Sequence, residues 1–157
     1  MKNLYRLTAN GFGSGLLPIA PGTWGAGVAA LMAMPLMWTS ATPWVARLVL
    51  ILLIVVFSFI CAKAVDMFAD EWGEDPGHVV ADEMVGMWLT LVGNPLTLGN
   101  IAIGFLFFRF FDIAKPLGVR RLEAIPGGWG VVLDDVLAGV YANVALQIVN
   151  LVFVVNW

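Results

Sequence analysis

The chain has 157 residues, 61% of them hydrophobic and only 12% charged, with a formal net charge of −3. A soluble domain holds about 45–50% apolar residues, so this composition excludes an ordinary water-soluble fold, and the acidic balance argues against nucleic acid, which calls for a basic face. It predicts an all-α, compact integral-membrane helical bundle of about five spanning or partly spanning helices, with a Gly/Pro-rich N-terminal loop, in one domain over residues 1–157.

The chain opens with Lys2 and Arg6, and no apolar signal-type core follows them, so this end is expected to stay in the mature protein. The uncharged run Gly11-Phe12-Gly13-Ser14-Gly15, then Pro18 and Pro21-Gly22-Thr23-Trp24-Gly25, reads as turns leading into an apolar helix. Backbone N–H groups at such a helix start, with the Thr23 hydroxyl, offer donors to an anion; a plain re-entrant turn explains the same residues. Without a following Gly-Lys-Ser/Thr it is not a Walker loop.

Helices are predicted near 24–38, 44–65, 79–93, 99–113 and 131–155, with breaks at Pro43, Gly73 to Gly77, Gly93-Asn94-Pro95 and Pro126-Gly127-Gly128. Only 44–63 and 136–155 reach the roughly 20 residues a spanning helix needs. The others are expected as half-spans or tilted helices around a polar centre. Cys61 is the sole cysteine, so it forms no internal disulfide and reads as an inert core residue. Asn143, Gln147 and Asn150 share a face of the last helix and read as hydrogen-bonding glue between helices.

A cytoplasmic N-terminus, with each helix crossing, puts Lys2, Arg6, Lys63, Arg109, Lys115, Arg120 and Arg121 inside and only Arg47 outside. That asymmetry follows the positive-inside rule and places the C-terminus outside, with Trp38, Trp44 and Trp157 at the outer interface.

Two matching segments, Val79-Val80-Ala81-Asp82-Glu83 and Val131-Val132-Leu133-Asp134-Asp135, set adjacent carboxylates at the mouths of apolar stretches, and Asp112 closes a third, Phe108-Arg109-Phe110-Phe111-Asp112. The topology above puts all three stations on the cytoplasmic face. Ionised carboxylates are expensive beside hydrocarbon, which points to a site, although acids also favour helix N-termini as caps. Neighbours on a helix point about 100° apart, so one acid of each pair is expected to bind a ligand while the other caps or supports it. Oxygen donors with almost no nitrogen or sulfur favour Mg²⁺ first and Mn²⁺ second. His78 and Cys61 cannot make a zinc site, and His78 reads as a solvated loop residue. Arg109, Asp112 and Lys115 at spacings of three form either a salt-bridge ladder or a phosphate site. Arg120 and Arg121 could equally attract anionic lipid heads. A small ion or proton transporter relaying through membrane-edge acids is the rival from another class; acids spread across the membrane would favour it, whereas acids gathered at one face favour a site that holds a metal and a phosphate.

Taken together, these segments resemble the phosphatidylglycerophosphatase A family of bacterial inner-membrane lipid phosphatases. The likeness is carried in order by Gly11 to Gly15 through Pro21-Gly22-Thr23-Trp24-Gly25, by Asp82-Glu83-Met84-Val85-Gly86-Met87-Trp88, by Phe108 to Asp112 with Ile113-Ala114-Lys115-Pro116, and by Gly127-Gly128-Trp129-Gly130 through Asp134-Asp135 to Ala138-Gly139. It departs at Gly118, where the family pattern has proline. The resemblance implies Mg²⁺-dependent removal of the terminal phosphate of phosphatidylglycerophosphate, giving phosphatidylglycerol, by a membrane-embedded domain with its site on the cytoplasmic face. It implies the acidic motif residues Asp82, Glu83, Asp112, Asp134 and Asp135 at the active site, and the residues themselves lead us to expect Asp82, Asp112 and Asp134 or Asp135 as metal ligands. Gly22, Thr23, Arg109, Lys115 and Gly128 are then expected to bind the substrate, an anionic phospholipid; no protein partner is indicated.

Overall fold

The computed structural model describes residues 2–39, 43–73, 77–116 and 118–153; Trp157 and the end of the helix expected to reach 155 lie outside them. All regular structure among the described residues is helical: α1 (Lys2–Ala9), α2 (Pro21–Ala33), α3 (Pro43–Met67), α4 (Ala69–Trp72), α5 (Ala81–Leu91), α6 (Leu98–Ala114), α7 (Val119–Glu123) and α8 (Gly128–Phe153). Short 3-10 turns occupy Gly11–Leu16 and Met34–Thr39. The five expected helices correspond to α2, α3, α5, α6 and α8, while α1, α4 and α7 are additional.

Where boundaries differ from expectation, local chemistry accounts for the shift. α2 starts at Pro21, whose fixed φ and missing N–H suit the first helical position, and it gives way to the 3-10 turn around Pro35. α8 starts at Gly128 rather than 131 because Asp66 Oδ1, from the end of α3, accepts the Gly128 N–H at 2.7 Å. α6 begins on a Thr97 cap, whose hydroxyl accepts the Asn100 N–H at 3.1 Å, and stops where Lys115 turns left-handed (φ 43°) before Pro116.

α5 is the axis of the molecule, packed against α2, α3, α6 and α8. Met84, Val85, Met87, Trp88 and Leu91 are completely buried. Its 11 residues rise only about 16 Å, half the thickness of a bilayer core, so its C-terminal carbonyls end inside the protein and need donors. Asn143 of α8 supplies them: its Nδ2 reaches the carbonyls of Leu89 (3.0 Å), Thr90 (2.9 Å) and Val92 (2.7 Å). Gln147 donates to Asn143 Oδ1 at 2.7 Å and Asn150 to Asn94 Oδ1 at 3.0 Å, so the polar face of α8 serves as interhelical glue.

The buried side of α2 is made of Gly22, Gly25, Ala26, Ala29, Ala30 and Ala33, small residues at four-residue spacings that bring it close to α5. There the Trp88 indole donates to the Ala29 carbonyl at 3.0 Å. Two helices, Pro43–Met67 and Gly128–Val152, are long and apolar enough to cross a membrane. Leu48, Leu52 and Phe59 of α3 and Val144, Ile148 and Leu151 of α8 are exposed, so these helices present hydrocarbon outward as well as inward.

A buried carboxylate cluster as the candidate active site

The starts of α5 and α8 and the end of α6 meet at one end of the bundle, and all five predicted acids line one cleft of about 450 Å³. Asp82 and Glu83 come from the first turn of α5, Asp134 and Asp135 from near the start of α8, and Asp112 from the end of α6. Lys115 and the 124–127 loop complete the walls.

The five divide into two groups. Two have cations: Arg109 Nη1 donates to Asp112 Oδ2, and Lys115 Nζ to Asp134 Oδ2 at 2.9 Å. The other three, Asp82, Glu83 and Asp135, each bring an oxygen to within 4.8 Å of the others. Asp82 Oδ1, Glu83 Oε2 and Asp135 Oδ1 are buried without a hydrogen-bond partner. Buried polar atoms are normally satisfied, and three mutually repelling carboxylates are costly unless a cation lies among them. Hard oxygen donors converging from two helices fit a divalent ion of the Mg²⁺ or Mn²⁺ kind.

This partition differs from the expected metal-ligand set: Asp112 and Asp134, expected to hold the ion, are paired with cations, and Glu83 joins Asp82 and Asp135 in their place. Asp82 and Glu83 both reach the cluster rather than dividing into ligand and cap, and the N-cap position of α5 is Val80, which makes no side-chain cap.

The glycine-rich N-terminal segment falls into two parts. Gly11 and Gly15 press against Val80 and the His78 backbone; a Cβ on Gly11 would lie 2.6 Å from Val80 Cγ2, and the Val80 N–H donates to the Ala9 carbonyl at 2.9 Å. This part fixes the entry to α5. Gly22 instead adjoins the cleft: a Cβ there would collide with the Glu83 carboxylate and lie 3.1 Å from Arg109 Nη1. Thr23 is half-buried one residue on, outside the cleft wall, with its N–H given to the Ala20 carbonyl at 2.9 Å. Gly128 faces Ala62 and Asp66 rather than the cleft. His78 packs edge-on against Trp72, ring centroids 4.8 Å apart, and Arg120 and Arg121 are exposed on α7. Asp66 has a role that no sequence signal suggests, because its partner Gly128 belongs to another helix.

The described residues form an all-helical bundle with two membrane-length apolar helices and an acidic, cation-edged cleft at one end, and the comparisons with known proteins place it among the lipid phosphatases. The family model for phosphatidylglycerophosphatase A matches residues 7–150, and the chain belongs to that family. It is 43% identical over 154 residues to a Bacteroides thetaiotaomicron protein named "Putative phosphatidylinositol-3-phosphatase", covering 90% of this chain and 91% of the relative. It is 40% identical over 146 residues to phosphatidylglycerophosphatase A of Escherichia coli (89% and 80% covered) and 36% identical over 148 residues to that of Haemophilus influenzae (93% and 88% covered). No solved structure matches the chain.

Proposed function

We propose that this enzyme is an integral protein of the bacterial inner membrane that hydrolyses the terminal phosphate monoester of phosphatidylglycerophosphate, giving phosphatidylglycerol, with Mg²⁺ or Mn²⁺ as cofactor. Three buried carboxylate oxygens without partners, gathered from two helices, carry this assignment. The cleft opens at the end of the bundle that holds Lys63, Arg109 and Lys115, while Arg47 sits at the opposite end of α3; by the positive-inside rule the active site faces the cytoplasm and the C-terminus the periplasm. Carboxylates gathered in one cleft, rather than distributed along the bundle, favour phosphatase chemistry over ion transport.

Asp82, Glu83 and Asp135 would hold the metal, and Asp112 and Asp134 stand beside it in the same cleft. Bound Mg²⁺ supplies Lewis acidity and positive charge against phosphate oxygens. Arg109 and Lys115, each steadied by a carboxylate, bind and orient the phosphate, and the absent side chain of Gly22 lets Glu83 and Arg109 lie against the start of α2. Hydrolysis forms one P–O bond to water and breaks the P–O bond to the glycerol oxygen. Asp112 or Asp134 takes the proton that water gives up and returns it to the departing glycerol oxygen.

The test is phosphate release by the purified, detergent-solubilised protein from phosphatidylglycerophosphate, and from phosphatidylinositol 3-phosphate as the comparison substrate, with Mg²⁺ or EDTA. Release from the first that requires Mg²⁺ and disappears in Asp82→Asn supports the assignment. Undiminished release by Asp82→Asn, or none from a folded protein with any divalent ion, overturns it. Preferential release from the inositol lipid overturns the substrate while leaving the chemistry in place.

A further inference from the structure

Outside the carboxylate cleft, an apolar groove of about 480 Å³ runs between α2 and α6. Trp24 and Leu31 on α2 and Leu98 and Leu106 on α6 line it, and all four are exposed. Gly27, between them on α2, keeps it open: a Cβ there would meet no atom within 4 Å.

The near end of the groove lies within about one helical turn of active-site residues: Trp24 is two residues from Gly22 and Leu106 three from Arg109. α2 and α6 both reach the cleft, where Gly22 adjoins Glu83 and Arg109, and Leu106 lies on the turn of α6 before Arg109. From Arg109 back to Leu98 the helix rises about 16 Å. One leaflet of a bilayer core of ~30 Å is about as deep. A guanidinium at the head and an apolar trough one leaflet deep beneath it complement a phospholipid lying along the helices, with its phosphate toward the cleft.

We propose that this groove seats one acyl chain of the lipid substrate and that Gly27 sets the chain it admits; the identity of that lipid as substrate rests on the function proposed above. Hydrocarbon is equally at home in the surrounding bilayer, so the groove contributes packing and orientation rather than transfer from water. It aligns the phosphate with the cleft by fixing the chain.

Gly27→Phe tests this, because the new ring enters open space and replaces a glycine within a helix. Mg²⁺-dependent phosphate release is compared between dioleoyl phosphatidylglycerophosphate in mixed micelles and its water-soluble, fully deacylated head group, with Gly27→Ala as control. In parallel, a phospholipid bearing a diazirine in its acyl chain is photocrosslinked to the wild type, to Gly27→Phe and to Asp82→Asn. The expected result is a loss of about three- to tenfold in kcat/KM for the dioleoyl substrate with the rate on the deacylated substrate unchanged, since the latter carries no chain to enter the groove. The label should fall on Leu31 or Leu98 in the wild type and Asp82→Asn and be lost in Gly27→Phe. Equal losses on both substrates, or labelling elsewhere, overturn the proposal. So does a change from dimer to monomer in Gly27→Phe, which would make the groove an interface between copies. If the wild type hydrolyses nothing while the groove is still labelled, the lipid site stands and the phosphatase reading falls.

Discussion

A Cβ placed on Gly139 would lie 2.6 Å from the carbonyl oxygen of Gly86, so α5 and α8 touch backbone to backbone. Gly86 lies four residues after Asp82, and Gly139 four after Asp135, which puts this crossing one turn from the carboxylate cluster. From the other side, a Cβ on Gly86 would lie 2.7 Å from the Asp135 carbonyl oxygen. Gly139→Ala should therefore wedge the helices apart and spread the three acids. We expect at least about a tenfold loss of phosphate release and a stability cost of about 1–3 kcal/mol, the usual range for overpacking. Thermal unfolding in detergent beside an activity assay checks both, and a fully active Gly139→Ala enzyme would show that the crossing does not set the site.

Asp135→Asn should move stability and activity in opposite directions. In EDTA the three buried carboxylates repel one another, and an amide at 135 removes one charge while adding donors for the unpartnered oxygens of Asp82 and Glu83. A gain of about 1 kcal/mol would raise Tm by about 2–4 °C for a chain of this size. Activity should fall to background. Destabilisation of this variant in EDTA would contradict the picture of stored repulsion.

Divalent ions offer a readout that needs no substrate. Binding to the folded state alone stabilises by about 2.7 kcal/mol at a hundredfold excess over Kd. Titrating Mg²⁺ into wild-type protein should raise Tm, whereas the Asp82→Asn, Asp135→Asn double variant should not respond. Equal responses from both proteins would place the ion elsewhere.

Asn143→Leu probes the inner end of α5 and leaves the cleft untouched. It removes the amide that the Leu89, Thr90 and Val92 carbonyls share, and we expect a cost of about 2–3 kcal/mol with the activity of the folded protein retained. Thermal unfolding and active-site-normalised rates separate the two effects; a selective loss of activity at unchanged stability would argue against a purely structural role.

Much of this is written locally along the chain. Apolar composition and the lengths of the uncharged runs mark the helices, Gly and Pro mark their breaks, and the order of the four motifs identifies the family. The acids and cations of the cleft are visible as residue types because charge is rare in this sequence. The Asn143–Gln147–Asn150 face is legible from helical spacing alone. The starts of α2 and α8 are harder to read: Pro21 carries a local signal, but Asp66 meets Gly128 only after α3 and α8 have packed.

How the carboxylates divide depends on packing. Asp112 and Asp134 go to Arg109 and Lys115, while Glu83 joins Asp82 and Asp135. Spacing along a helix gives each side chain's direction from its own axis, but convergence depends on how the axes cross. Here the crossing is set by two glycines on different helices, and by the small residues that let α2 approach α5. The α2–α6 groove has the same origin, since an open lane between helices depends on where two separate stretches come to rest.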